Sequence, residues 1–296
     1  MKHAYMIMAH NQKELLGVLL ELLDCENNDL YIHIDAKSDM DTDDLKSFVK
    51  KAGIHVYKEF KIYWADISQT KCQFFLLREA TKTYHDYYHL ISGSDLPLKT
   101  NAQIDEFFEG IRGKQLINFD SETASTNRNC AYWHFCRFLM SKAARGKDHV
   151  HSKGYERLRK LDRVLVDIQV KLGVKTGLSR GCNWNSITHE LAEDYIRHEE
   201  KILKKTHFAL SSDESVLQTY VRLYGKGKWQ IYNEKSHDYE DTVFRKIDWV
   251  RGYPYVWQIG DYDELMSSGM LFARKFDIDK DKEIIYKIRD TLKAGV

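Results

Sequence analysis

Cysteine is scarce in this chain, and its placement excludes more than its number does. The five residues, Cys25, Cys72, Cys130, Cys136 and Cys182, are odd in number and form no Cys-x-x-Cys pair. A disulfide framework or structural zinc site is therefore not expected, and a reducing cytoplasm fits better. An excess of one charge is also lacking: 45 Lys and Arg stand against 44 Asp and Glu, a formal net of +1, so no overall field argues for nucleic acid. No apolar run approaches the roughly 18 residues of a membrane crossing. The amino terminus, Met-Lys-His, enters a strand pattern directly, without the apolar core of a signal peptide. The chain is expected to be cytoplasmic, and soluble or peripheral at the inner face of the plasma membrane. Internal repeats and low-complexity tracts are missing too, and 296 residues can bury a large core as one big α/β domain or two small ones.

The residues that are present are organised around Tyr87 to Asn101. Tyr87 to Ile91 is aromatic and β-branched without an acidic or basic residue, which suits a buried strand. Ser92-Gly93-Ser94-Asp95 comes next as a turn of small residues. In an open α/β sheet, ligands bind beyond the carboxyl ends of the strands, so Asp95 is either a site residue or a turn aspartate capping the next segment.

Upstream, His3 to Ala9 reads as a strand, His10-Asn11 as a turn and helix cap, Glu14 to Leu23 as an amphipathic helix, and Leu30 to Asp35 as a second strand. This unit opens many nucleotide-binding sheets, yet the glycine fingerprint of dinucleotide sites is missing. Asp35 ends its strand where an acid can take a ribose hydroxyl, or it caps a helix near Asp41 to Lys51. Ile54 to Tyr57 is a third strand. The aromatics Tyr63-Trp64 are core packing or a stacking surface for a base or sugar. A helix over Ser68 to Tyr84, a short helix over Ala102 to Glu109 and a strand over Gln115 to Phe119 complete an alternation that argues for a largely parallel sheet.

Between Arg137 and Arg180 twelve basic residues face four acidic ones, a net of +8. Within this segment Leu158, Leu161, Leu165, Ile168 and Leu172 recur at helical spacing, with Arg157, Arg159, Lys160, Arg163 and Lys171 on the other flanks. The helix either packs on the core or adheres to an anionic membrane that displays a lipid-linked acceptor. A glycine-containing loop, Gly177 to Trp184, precedes a strand at Ser186 to Thr188 and a helix over Glu190 to Lys204. Ser212-Asp213-Glu214 precedes a helix over Ser215 to Leu223. Glu214 there is a cap, or a carboxylate fixed at a cleft rim as general base. Lys246 to Trp249 reads as a strand. The chain's two prolines, Pro97 and Pro254, lie beside these suspected stretches, where a fixed φ helps hold a ligand.

Five stretches taken together resemble the core-2/I-branching β-1,6-N-acetylglucosaminyltransferases and their xylosyltransferase relatives, glycosyltransferase family 14, in a short bacterial-type version. They are Ile32-His33-Ile34-Asp35, Tyr63-Trp64-Ala65 with Ser68, Ser92 to Asn101, Ser212-Asp213-Glu214, and Leu271 to Asp277. The resemblance implies a GT-A fold, with a Rossmann-like, mostly parallel central sheet flanked by helices, in a single catalytic domain over 1–296. Residues 1–120 would be its nucleotide-binding half and 121–296 its acceptor-binding and catalytic half. It also implies inverting transfer from a UDP-sugar to a glycan or lipid-linked saccharide, with no metal and no other cofactor. Glu214 resembles the family's catalytic base. Asp35 resembles the acid at the uridine, and Lys275 with Arg274 the basic group at the diphosphate. His10, Trp64 and Asp95 join the UDP-sugar contacts, and Arg251 is the nearest match to a second basic residue. Trp249 resembles an aromatic lining the acceptor site, with Gly181, Asn183 and Trp184 in the loop beside it.

The chemistry accounts for these residue types. A carboxylate takes the acceptor's proton as the new bond forms, and fixed cations stabilise the departing UDP, so a second carboxylate acid is not needed. Metal-using GT-A enzymes carry Asp-x-Asp after a central strand, whereas the pairs here, starting at Asp39, Asp41, Asp261, Asp277 and Asp279, fall in caps or charge runs. The alternative class is a carbohydrate-binding or scaffold protein that keeps the fold without catalysis. A sugar-nucleotide pyrophosphorylase would need a glycine- and arginine-rich loop where Ala9-His10-Asn11 stands.

Overall fold

The computed structural model describes residues 1–135 and 153–295. Cys136 and the opening of the basic segment, 137–152, lie outside the described residues. The strands in chain order are β1 (His3–Ala9), β2 (Asn28–Ile34), β3 (Gly53–Tyr57), β4 (Tyr87–Ser92), β5 (Asp95–Pro97), β6 (Lys114–Ile117), β7 (Asn185–Thr188), β8 (Gln230–Ile231), β9 (Arg245–Ile247) and β10 (Phe272–Arg274). Seven form one sheet in the order β3-β2-β1-β4-β7-β6-β8, with β4 in the middle, and three form a small sheet in the order β5-β10-β9. Strands β1 to β4 pair in parallel, as do β6 and β8, while β7 runs antiparallel to both its neighbours. The large sheet is thus mostly parallel, as a GT-A-like fold requires.

Alternation along each strand divides the apolar side chains between two cores. Tyr5 and Ile7 of β1 pack with Leu15 and Leu19 of the helix Lys13–Leu22 and with Ile284 and Ile288 of the helix Lys282–Lys293. Ala4 and Met6 face the opposite way, onto Phe74 and Leu77 of the helix Ile67–Ala80 and Val216 and Tyr220 of the helix Val216–Leu223. Helices therefore cover both faces of the sheet.

Some elements differ from the sequence pattern for local reasons. Asp41 to Lys51 makes no α-helix, only a 3₁₀ turn at Leu45–Phe48. Its aspartates bond their own backbone instead, Asp41 accepting from the Asp43 amide at 3.0 Å. His10 and Asn11 do not cap the first helix; Gln12, left-handed at φ 59°, occupies that position without a side-chain cap bond. The helix after Trp64 starts at Ile67, where Asp66 accepts from the Ser68 amide at 2.8 Å, and ends at Ala80. The span Glu190 to Lys204 is two helices, His189–Arg197 and Glu199–Lys205, interrupted at His198. The strand sought at Lys246 to Trp249 is β9, which begins at Arg245 and belongs to the small sheet.

A buried ion cluster joins the two sheets. Asp95, at the start of β5 and fully buried, receives Arg245 Nη1 on Oδ2 at 2.5 Å and Arg274 Nη1 on Oδ1 at 2.9 Å. Arg245 Nη2 also donates to the Leu90 carbonyl of β4 at 3.3 Å. Removing one member of such a cluster leaves the others undercompensated in a dry setting. Arg245→Met is expected to lower unfolding free energy by about 3 kcal/mol or more, read from urea denaturation. Asp95→Asn added to it should restore part of the loss.

Candidate active site

The carboxyl ends of β1, β2 and β4 open into a cavity of about 550 Å³. The floor is set by the parallel strands, since His10, Asp35 and Ser92 each stand at a strand's end and line it. Asp35 accepts from the backbone amides of Lys37 at 2.9 Å and Ile62 at 3.3 Å. The aspartate thus fastens the loops that carry Lys37 and Trp64 rather than capping a helix. Trp64, 63% exposed, stands at the rim of the same cavity. Partial burial lowers the His10 imidazole pKa; Asp35 opposes this and the charges of Lys275, Lys37 and Arg274 reinforce it.

Arg274 enters the cavity from the end of β10. Its guanidinium bonds the Ser92 hydroxyl, Ser94 Oγ at 3.0 Å and Asp95, and lies 4.9 Å from the ring centre of Trp184. Asp95 itself does not line the cavity; it sits behind and aims Arg274. Lys275 comes directly after Arg274, with its carbonyl held by the Trp257 amide at 3.0 Å, and is not among the lining residues. Arg251 lies outside the cavity, bonded to Asp248, to Asp261 at 2.6 Å and to Glu264 at 3.5 Å. Each of its acidic partners competes with any anion that would bind there.

Another part of the lining is built by the loop 180–184 and the 3₁₀ turn Ser212–Glu214. Gly181 is required by close approach: a Cβ there would sit 2.0 Å from the Asn118 carbonyl oxygen. Its amide donates to the Glu214 carbonyl at 3.0 Å, which ties the loop to the turn. Ser212 Oγ meets Thr70 Oγ1 at 2.8 Å, which ties the turn to the helix Ile67–Ala80. Asn183 Nδ2 lies 3.4 Å from Asp213 Oδ2. Trp184 and Trp249 also line the cavity, with Trp249 half exposed.

Arg180 organises the carboxylates. It pairs with Glu214 Oε2, its Nε lies 3.5 Å from Asp120, and its Nη1 donates to the Leu210 carbonyl at 3.2 Å. Burial raises the Glu214 pKa, Arg180 opposes the rise and Asp120 adds to it. Burial likewise raises Asp213, helped by the neighbouring Glu214 charge. Asp213 Oδ1 meets no hydrogen-bond partner among the described residues. At the floor, His33 Nε2 accepts from the Phe60 amide at 2.9 Å. Burial lowers the His33 pKa to about 4, so the ring is neutral and carries its proton on Nδ1.

Thus His10, Asp35, Trp64, Gly181, Asn183, Trp184, Glu214, Trp249 and Arg274 share one cavity, while Asp95, Lys275 and Arg251 do not line it. Arg180, Asp120, Asp213, His33 and Arg245 are not among the residues that the sequence marks for the site; the partial signals are the basic segment that ends at Arg180 and the stretches Ile32 to Asp35 and Ser212 to Glu214, which contain His33 and Asp213. Among the described residues no three His, Cys, Asp or Glu side chains converge as metal ligands.

The family model of the Core-2/I-Branching enzymes matches residues 3–264. The chain belongs to that family. Membership in the Core-2/I-Branching enzymes brings glycosyltransferase chemistry, with a sugar donor and a glycan acceptor as the reacting partners. No curated protein matches the chain.

Burial of Asp213 makes the fold's stability depend on pH. The folded protein holds this proton more tightly than the unfolded chain does. The associated stability is complete below the ordinary carboxylate range and is lost as pH rises through the elevated folded value. Asp213→Asn cannot ionise, so its stability relative to the unsubstituted protein should improve from about pH 5 to about pH 8, as measured by urea unfolding at both values.

Proposed function

We propose that the protein is an inverting glycosyltransferase that moves a sugar, GlcNAc, from a UDP-sugar to a hydroxyl of a glycan acceptor without a metal ion, in cell-surface polysaccharide synthesis. The observation that carries this reading is that Glu214 and Arg274, 60 residues apart in the chain, line the same cavity. Uridine would lie against Asp35 and Trp64, with the diphosphate at Arg274. The acceptor would lie against Asn183, Trp184 and Trp249.

Glu214 then acts as general base. Arg180 engages Oε2, while Oε1 has no hydrogen-bond or ion-pair partner among the described residues. Oε1 takes the proton of the acceptor hydroxyl as its oxygen bonds to the anomeric carbon, and the bond from that carbon to the UDP oxygen breaks. A raised pKa makes the carboxylate a better proton acceptor. The negative charge that builds on the departing diphosphate is met by Arg274, held in place by Ser92, Ser94 and Asp95 before the reaction begins. Cations fixed in this way support the metal-free reading.

Glu214→Gln is expected to reduce transfer from UDP-GlcNAc by at least about 10²-fold, while calorimetric binding of UDP is retained. Transfer at the original rate would remove Glu214 from the mechanism. With the unsubstituted protein, EDTA is expected to leave the transfer rate unchanged.

A further inference from the structure

The helix Lys153–Lys171 carries more exposed apolar surface than packing explains. Its inner face is settled by Tyr155, Asp162 and Val166, which are buried. Asp162 receives the backbone amides of His134 at 3.0 Å and Phe135 at 2.8 Å, and Gln169 exchanges two bonds with the Tyr132 backbone. At about 100° per residue, Leu158, Leu161, Val164, Leu165 and Ile168 occupy an arc of roughly 120° away from that face. Leu158, Leu161, Val164 and Ile168 are 43% to 54% exposed, and Leu172, just past the helix end, is 75% exposed.

The unpaired charges along the arc have one sign. Arg157, Lys160 and Lys171 are exposed and pair with no carboxylate among the described residues. The helix's acids are engaged elsewhere: Glu156 with Arg159 at 3.5 Å, Asp167 with Arg128, and Asp162 on the buried side. We infer that this face docks onto an anionic lipid surface, the apolar arc entering the acyl boundary and the cations meeting the headgroups. A second copy of the chain fits less well, because apposing two such helices would bring Arg157, Lys160 and Lys171 against their own like charges. Nucleic acid would take the cations but has no use for the leucines. Beyond the helix the same loop carries Arg180 and Gly181 of the cavity wall, so docking would bring the acceptor side of the site near the membrane. The nearness of acceptor and membrane rests on the proposed function, whereas the docking itself does not.

The test is co-sedimentation of the full chain with phosphatidylcholine vesicles with and without phosphatidylglycerol, at low and high salt. Binding is expected only with the anionic lipid, and salt should weaken it. Arg157→Gln/Lys160→Gln should weaken binding about twenty-fold, and Leu161→Glu/Ile168→Glu should abolish it. Because these positions are exposed, thermal melts should be unchanged. Absence of binding to anionic vesicles at low salt, or equal binding by the Leu161→Glu/Ile168→Glu variant, overturns the inference. So does a solution dimer, measured by sedimentation velocity, that this variant converts to monomer. Sugar transfer in detergent-free solution reports on the proposed function separately, since none of these side chains lines the cavity.

Discussion

One buried carboxylate holds two guanidinium groups, and much of the site is arranged by that unequal ratio. Asp95 compensates Arg245 and part of Arg274, leaving a surplus positive charge that cannot retreat into the core. Burial alone would favour deprotonation of Arg245, and Asp95 is the main influence holding its charge. Arg245 is sequestered, so the surplus reaches the cavity through Arg274, beside Ser92, Ser94 and the face of Trp184. An anion entering there would complete the neutralisation begun by Asp95. The same cluster fastens β5, β9 and β10 to the Leu90 carbonyl of β4, so the small sheet's position and the cavity's positive pole have one physical cause.

The opposite pole is built by the reverse imbalance. Arg180 is one cation among Asp120, Asp213 and Glu214. Its bond to Glu214 restrains the carboxylate, while burial and Asp120 push the pKa upward against it. A base in this setting is positioned without being fully neutralised by its partner. Rigidity comes from backbone instead of charge: Gly181 lies too close to Asn118 for any side chain, and its amide reaches the Glu214 carbonyl. The cavity lining therefore holds both a fixed cation, Arg274, and a carboxylate, Glu214, a pairing that suits a reaction in which a proton is taken up while negative charge leaves.

Much of this frame was legible because it is local. Strand alternation at Tyr5, Met6 and Ile7, and the small-residue turn after Ile91, come from side-chain spacing alone, and they place Asp35 and Ser92 at strand ends. Glu214 was legible as a carboxylate on a turn ahead of a helix. Arg245 was not, because its meaning depends on Asp95, 150 residues away in the chain. The sequence showed Arg180 only as the end of a basic run, although its partners Asp120 and Glu214 make it part of an acidic cluster. Arg251 illustrates the converse: near the right place in the chain, it is drawn off by Asp248 and Asp261. The antiparallel direction of β7 was equally hidden, since a strand's composition does not report its polarity and the segment before it breaks the earlier alternation.

Net charge near zero conceals how these fields are divided. The segment ending at Arg180 carries a net of +8, yet its last cation is consumed by the carboxylates of the cavity wall, and those on the outer flank of the helix Lys153–Lys171 face solvent. The two uses arise from burial. Inside, where the dielectric is low, one arginine suffices to hold two acids, Asp120 and Glu214; outside, water and salt weaken each charge, so several are needed around an apolar strip to produce any directional attraction. A single basic segment can therefore tune a carboxylate at one end and present a surface at the other, the largely exposed chain between them being anchored at two buried side chains, Thr176 and Leu178.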